Sequence, residues 1–184
     1  MKRILAVLVC LAAVSFSARA QRWSVGVNMF DLACIGTFNI EGNVAIAQHI
    51  SLEAGAKYNP WTFKKDTDAQ FEDRKQIYYA GFRFWPWYIY SGFWGSICAQ
   101  YEEYNHGGLI RKTAKEGDAI GASLTLGYTR MFHRNFNIEF GAGVWAGQTK
   151  FTQYSCPKCG RVLDEGSKFF VLPNEIKVAI VYVF

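Results

Sequence analysis

The last ten residues, Glu175-Ile176-Lys177-Val178-Ala179-Ile180-Val181-Tyr182-Val183-Phe184, constrain the fold more than any other segment. In an extended chain successive side chains point to opposite faces, so Ile176, Val178, Ile180, Tyr182 and Phe184 share one face. Glu175 and Lys177 fall on the other face. A segment of this kind is a strand with a different environment on each side.

The same alternation recurs along the chain and predicts eight strands. The first covers about 22–32 and the second about 37–47, where Phe38, Ile40, Val44 and Ile46 alternate with Asn39, Glu41, Asn43 and Ala45. The third covers 50–59 and the fourth about 75–85, with Tyr78, Ala80, Phe82 and Phe84 opposite Tyr79, Gly81, Arg83 and Trp85. The fifth covers about 90–103. The sixth, about 119–130, is the most regular, with Ile120, Ala122, Leu124, Leu126 and Tyr128 on one face. The seventh covers about 136–149, and the closing strand about 174–184.

Each run is near the 9–11 residues that a tilted strand needs to cross a bilayer, and transmembrane β-barrels show this dyad pattern with a polar interior. The connections also differ in length. Those at 48–49, 86–88 and 131–135 are short, and those at about 61–74, 104–118 and 150–173 are long and polar; 33–36 is a short exception. The expected fold is therefore all-β, an eight-stranded antiparallel up-and-down transmembrane β-barrel with short turns at one end and long external loops at the other. The competing architecture is a soluble barrel of the lipocalin kind, apolar inside. Trp23, Trp85, Trp87, Tyr88, Tyr128, Tyr182 and Phe184 are expected at the inner rim, and Tyr58, Trp61, Tyr101 and Tyr104 at the outer rim, as two aromatic girdles. A closing strand ending in Phe also resembles the signal read by the barrel insertion machinery, carried here by Tyr182 and Phe184.

The amino terminus agrees with export. Residues 1–20 read as a cleaved signal peptide: Lys2 and Arg3 lead an apolar stretch over 4–14, and Ala18-Arg19-Ala20 is a small-x-small cleavage site. The barrel then occupies 21–184. A lipid anchor at Cys10 is the weaker alternative, because Cys10 lies inside the apolar stretch. No other stretch approaches the ~20 apolar residues of a membrane helix. Loss of Lys2, Arg3 and Arg19 leaves 17 Lys and Arg against 15 Asp and Glu, too mild a balance for nucleic acid. The 10 Tyr, 15 Phe and 6 Trp favour a boundary between wet and dry surroundings.

With the apolar faces outward, Glu41, Glu53, Lys57, Arg83, Glu102, Glu139 and Lys177 point inward. Eight strands enclose only enough space for side chains, so these charges must pair. Counting along the strands puts Glu53, Arg83 and Glu139 at one depth and Glu41, Lys57, Glu102 and Lys177 nearer the outside. The expected interior is a plug of ion pairs, not an open pore. Cys156-Pro157-Lys158-Cys159-Gly160 resembles a single zinc-ribbon knuckle, but a structural zinc needs four ligands, usually from two knuckles. In an oxidising compartment a Cys156–Cys159 disulfide is the favoured reading, ahead of free thiols or metal. His49 and His133 fall at the turn end, and only His106 lies at the loop end, without an evident nucleophile. Asp66, Asp68, Glu72 and Asp73 form an acidic loop, read as solvated.

Several segments in this order resemble a family of uncharacterised small outer-membrane β-barrels from anaerobic Gram-negative bacteria, domain of unknown function 3575. They are Gly81-Phe82-Arg83-Phe84-Trp85-Pro86-Trp87, Gly127-Tyr128, Glu139 and the Cys156–Gly160 loop before the closing strand. The resemblance implies a fimbrial or surface-protein partner and an anchoring or assembly role. The general plan is that of OmpA/OmpX-like barrels. The resulting expectation is a monomeric, non-enzymatic protein of the bacterial outer membrane, with binding, adhesion or surface assembly carried by its external loops. Its partners would be outer-membrane lipid and the insertion machinery, with no cofactor and no catalytic or metal residue. An outer-membrane hydrolase or acyltransferase, or a small channel, are the alternatives.

Overall fold

A computed structural model describes residues 22–34, 36–63, 71–107, 113–155 and 161–184. Strand β1 (Trp23–Asn28) leads into a one-turn helix α1 (Met29–Ala33), followed by β2 (Phe38–Ala47), β3 (Ile50–Asn59) and the two-residue β4 (Thr62–Phe63). Five long strands follow: β5 (Phe71–Phe84), β6 (Gly92–Gly107), β7 (Ala114–His133), β8 (Phe136–Tyr154) and β9 (Val162–Val183). All pairings are antiparallel, in one nine-stranded sheet of order β3-β2-β1-β9-β8-β7-β6-β5-β4. Strand β3 also pairs with β5 over Ile50–Asn59, so the sheet order returns on itself, with β4 attached to β5 beyond the end of β3.

Period-two alternation decides which side chains face in. On β6, Trp94, Ser96, Cys98 and Gln100 are buried, whereas Phe93, Ile97, Ala99 and Tyr101 are exposed. The inner face is mostly polar, including Ser24, Asn43, Ser51, Thr125, Thr129 and Asn137, and the large apolar side chains of the strands lie on the outer face. The apolar core is small. Trp85, Tyr90, Trp94, Ala179, Val181 and Val183 form one cluster at the end of the sheet near the short turns. Trp85 meets Tyr90 edge-on at 5.7 Å and Trp94 at 6.3 Å, and its indole Nε1 donates to Ser51 Oγ at 3.1 Å. Tyr90 takes a left-handed backbone (φ 61°) that aims its hydroxyl at the carbonyls of Arg22 (2.9 Å) and Asn43 (3.3 Å). Gly92 (φ +80°) completes this turn against the Trp87 ring, where a Cβ would stand 2.7 Å from a ring carbon.

Several expectations are corrected. The sheet has nine strands and carries a helix, so the eight-stranded transmembrane barrel is replaced by a nine-stranded antiparallel sheet. The first predicted strand stops at Asn28, whose side chain caps α1 by accepting from Phe30 N–H (3.2 Å). The match to a bilayer's thickness is not there: β6 to β9 are 16, 20, 19 and 22 residues long, well beyond the 9–11 expected. The long external loops are largely strand. Of the segments read as loops, 104–107 pairs with 114–117, and 162–173 pairs with 144–154. Some charged residues are tolerated within these strands because an opposite charge faces them, as Lys150 faces Asp118.

With those supports gone, the transmembrane reading, the outer-membrane location, the lipid and insertion-machinery partners and the loop-borne adhesion role are withdrawn. No helix among the described residues is long and apolar enough to cross a membrane, which bears on helices alone. Tyr182 and Phe184, read as an insertion signal, lie where β9 meets β1. Phe184 N–H donates to the Trp23 carbonyl (2.8 Å), and Tyr182 packs edge-on against Phe136 and Phe184. Two girdle assignments also change, since Trp85 is wholly buried and Tyr104 lies on the inward parity of β6.

Trp85→Ala should destabilise the protein by about 3–5 kcal/mol, because it empties the centre of the only sizeable apolar cluster among the described residues. Tyr88→Ala, at a side chain that is 78% exposed, should stay within about 0.5 kcal/mol. Denaturant unfolding of the two variants checks the contrast.

Candidate functional site

The interior is organised by Arg83, which is completely buried on β5. Its Nε and Nη2 donate to the two oxygens of Glu53 at 2.9 and 2.8 Å. Nη2 also reaches Glu41 Oε1 at 2.7 Å, and Nη1 reaches Glu139 Oε2 at 3.0 Å. Lys177 donates to Glu41 and lies 3.7 Å from Glu139 and 3.9 Å from Glu53. Tyr79 OH (2.9 Å) and Asn43 Nδ2 (3.1 Å) also donate to Glu41, and Thr129 Oγ1 donates to Glu139 (3.0 Å). The guanidinium carbon stands 4.0 Å above the Trp94 ring, so one aromatic face closes the group from below. Gly127 makes room for that ring: a Cβ there would fall 2.4 Å from Trp94 Cζ2.

Three carboxylates face two cations in this group, and the titration of Glu41 and Glu53 separates accordingly. Burial alone would raise Glu41, but Lys177 and Arg83 override it and hold the carboxyl well below its usual range. Burial, reinforced by the neighbouring Glu41, raises Glu53 despite Arg83. Burial disfavours the charged form of Arg83, yet Glu53, Glu139 and Glu41 keep it fully cationic.

A second group lies beside the first. Lys57 on β3 bridges Asp31 of helix α1 (2.8 Å) and Glu175 of β9 (2.7 Å). Burial opposes the charge of Lys57, but Glu175 and Asp31 raise its pKa nonetheless. The predicted interior residues thus divide differently from their expected depths. Glu41 and Lys177 join Glu53, Arg83 and Glu139, Lys57 belongs to the second group, and Glu102 forms no ion pair among the described residues. Burial raises the Glu102 carboxyl. Asp31, Tyr79 and Glu175 were not singled out from the sequence. Glu175 shares parity with Lys177 and was legible on that basis; Asp31 was not, because its helix was read as strand.

Above these groups the sheet opens into a cavity of about 990 Å³. One cross-strand row runs around its wall, Asn59↔Lys75↔Tyr104↔Gly117↔Phe151↔Gly166, and the residues flanking each position complete the lining. Asp73 accepts from His106 Nδ1 (2.8 Å) and Asn59 Nδ2 (3.0 Å) and lies 3.4 Å from Lys75. Burial raises the Asp73 carboxyl, but His106 and Lys75 outweigh it and hold the pKa down. The His106 ring stacks on Tyr104 (5.1 Å, 13°), whose hydroxyl pairs with Thr149 Oγ1 at 2.8 Å. The acids expected in a solvated loop therefore part company: Asp73 is buried in this network and Glu72 pairs with Arg74 (2.6 Å), while Asp66 and Asp68 lie outside the described residues.

The remaining candidates carry little chemistry. Cys156 and Cys159 lie outside the described residues. Cys98 is buried, and burial pushes its thiol up to about 12, so it stays protonated. His49 Nδ1 lies 2.9 Å from the Trp85 carbonyl in the β2–β3 turn, and His133 lies beside Phe136. Among the described residues no group of three or more His, Cys, Asp or Glu is arranged to hold a metal.

Arg83→Leu should cost about 3–5 kcal/mol in denaturant unfolding, because it leaves three buried carboxylates without their main partner. The pH dependence should separate two of them. Below the ordinary value of 4.5, Glu53 is protonated in both folded and unfolded chains and contributes nothing. As pH rises, the unfolded chain ionises first, and Glu53 lowers stability until the folded carboxyl also ionises. Glu41 has the opposite sign: its contribution is present above 4.5 and is lost as pH falls. The stability of Glu53→Gln relative to the unaltered protein should therefore increase as pH rises above 4.5, and that of Glu41→Gln should not. Urea midpoints between pH 4 and 8 measure both.

A family model described as a protein of unknown function, DUF3575, matches residues 6–184. No curated protein and no solved structure matches. The family's description names neither a membrane barrel nor a fimbrial partner, so the expectations attached to the resemblance are corrected to membership alone. The chain belongs to the DUF3575 family.

Proposed function

We propose that this protein is a non-enzymatic binding protein that takes a small polar solute into the open end of its sheet. The observation that carries the reading is the cavity of about 990 Å³, of a size typical for ligand sites and at the mouth of a rolled sheet. Its wall mixes the aromatic rings of Tyr104 and Phe151 with the inward side chains of Asn59 and Lys75. That combination suits a solute with an apolar face and several hydroxyl or charged groups, of the size of a sugar or an amino acid. The site is preorganised: Tyr104 is held by Thr149 on one side and His106 on the other, and His106 by Asp73. The reading is non-enzymatic because Asp73 is already held by three neighbours and Glu41, Glu53, Glu139 and Glu175 below are held in ion pairs.

A thermal-unfolding screen against sugars and amino acids tests this. A true ligand at about 100 times its Kd should stabilise by about 2.7 kcal/mol. Tyr104→Ala, which removes a wall of the cavity, should abolish that shift while remaining folded. Absence of any shift across both sets, or a shift indifferent to Tyr104→Ala, would remove the proposal.

A further inference from the structure

Strand β9 is paired on one side only for most of its length. It runs beside β8 from Val162 to Tyr182, but β1 covers its other edge only from Ala179 to Val183. The Asn28 side chain takes the Ile176 carbonyl and the Val178 N–H. From Val162 to Leu172 the second edge has no strand partner among the described residues. Such an edge exposes a row of N–H and C=O groups that template another strand. Its side chains stand in the open, Phe169 at 70% and Val171 at 63% exposure.

The sequence of this edge is complementary to itself. Two copies running antiparallel with Gly166 opposite Gly166 place Asp164 opposite Lys168 twice. The same register sets Leu163 against Phe169 and Val162 against Phe170, twice each. Directly opposed residues share a face, so the charges meet on the inner side and Leu163 and Phe169 on the outer side. A slip of one residue in one direction sets Asp164 against Phe169, and in the other sets Leu163 against Lys168. Among the described residues neither Asp164 nor Lys168 forms a direct ion pair, although Asp164 lies near enough to Lys115 to favour its charge. Lys168 instead lies 5.0 Å from the Phe151 ring, which Lys115 also approaches at 4.0 Å, so two ammonium groups crowd one aromatic ring. A carboxylate from a second chain would relieve that crowding.

We propose that the protein forms a two-fold dimer through the free edge of β9, with residues Val162–Phe170 of two copies paired antiparallel about Gly166. The contact is isologous, so it closes on itself and leaves no edge for a third copy. It replaces the monomer expected from the sequence; it does not rest on the ligand proposed for the cavity, although Glu165, Gly166 and Ser167 belong to both the seam and the cavity wall.

Sedimentation equilibrium of the purified full chain tests it through a charge exchange. The unaltered protein should show a concentration-dependent monomer–dimer equilibrium. Asp164→Lys sets Lys against Lys at two places and should raise the dissociation constant about tenfold or more, as should Lys168→Asp. The double variant Asp164→Lys/Lys168→Asp restores opposite charges and should return the constant to within about threefold of the original. Both side chains are exposed or near the strand end, and an unchanged circular dichroism spectrum verifies folding. A monomer at every concentration, a dimer indifferent to either single reversal, or a double variant as weak as the singles would each overturn the proposal.

Discussion

Arg83 is a permanent charge held completely out of water, and the arrangement of the strands follows from what that requires. Removing such a group from solvent costs several kcal/mol unless carboxylates surround it at hydrogen-bond distance. Those carboxylates come from distant parts of the chain: Glu41 on β2, Glu53 on β3 and Glu139 on β8. Lys177 on β9 pairs with Glu41 across the intervening β1. A one-residue slip in any of these strands would carry its charge to the outer face and strand the others. The ion-paired group therefore specifies register where a larger protein would rely on apolar packing.

The apolar cluster around Trp85 closes the interior at one end, and unequal strand lengths open it at the other. Strands β1 to β3 have 6 to 10 residues, whereas β5 to β9 have 14 to 22. The long strands continue past the short ones as a wall. That inequality creates both the cavity, bounded by the Asn59-to-Gly166 row, and the free edge of β9, which begins where β1 ends. The two features have one structural origin but ask different things of a ligand: the cavity presents side chains, and the edge presents backbone.

Strands β2 and β3 occupy almost the residues that alternation marks out, because their polar and apolar positions differ sharply. The limits of β5 to β9 were illegible for a physical reason. Charged and turn-forming residues at 104–107, 114–118 and 150–173 read as loop, yet cross-strand partners such as Asp73 and His106 satisfy them within the sheet. Helix α1 was hidden because one turn is too short to show a 3.6-residue period. Its omission concealed Asp31, and with it one of the two partners of Lys57. His106 looked isolated in the sequence because its partner, Asp73, lies 33 positions earlier and is brought opposite by the β5–β6 register.

By itself the sequence determined the face on which each strand residue lies, since that depends only on the two-residue period of an extended chain. It marked Arg83, Glu53 and Glu139 as inward charges and Trp85 as sharing their side. Only the tertiary structure decided which of those charges meet, how far each strand runs and where the sheet is left open. Those outcomes depend on register between segments far apart in the chain, and a one-residue change of register alters every partner while leaving the local pattern untouched.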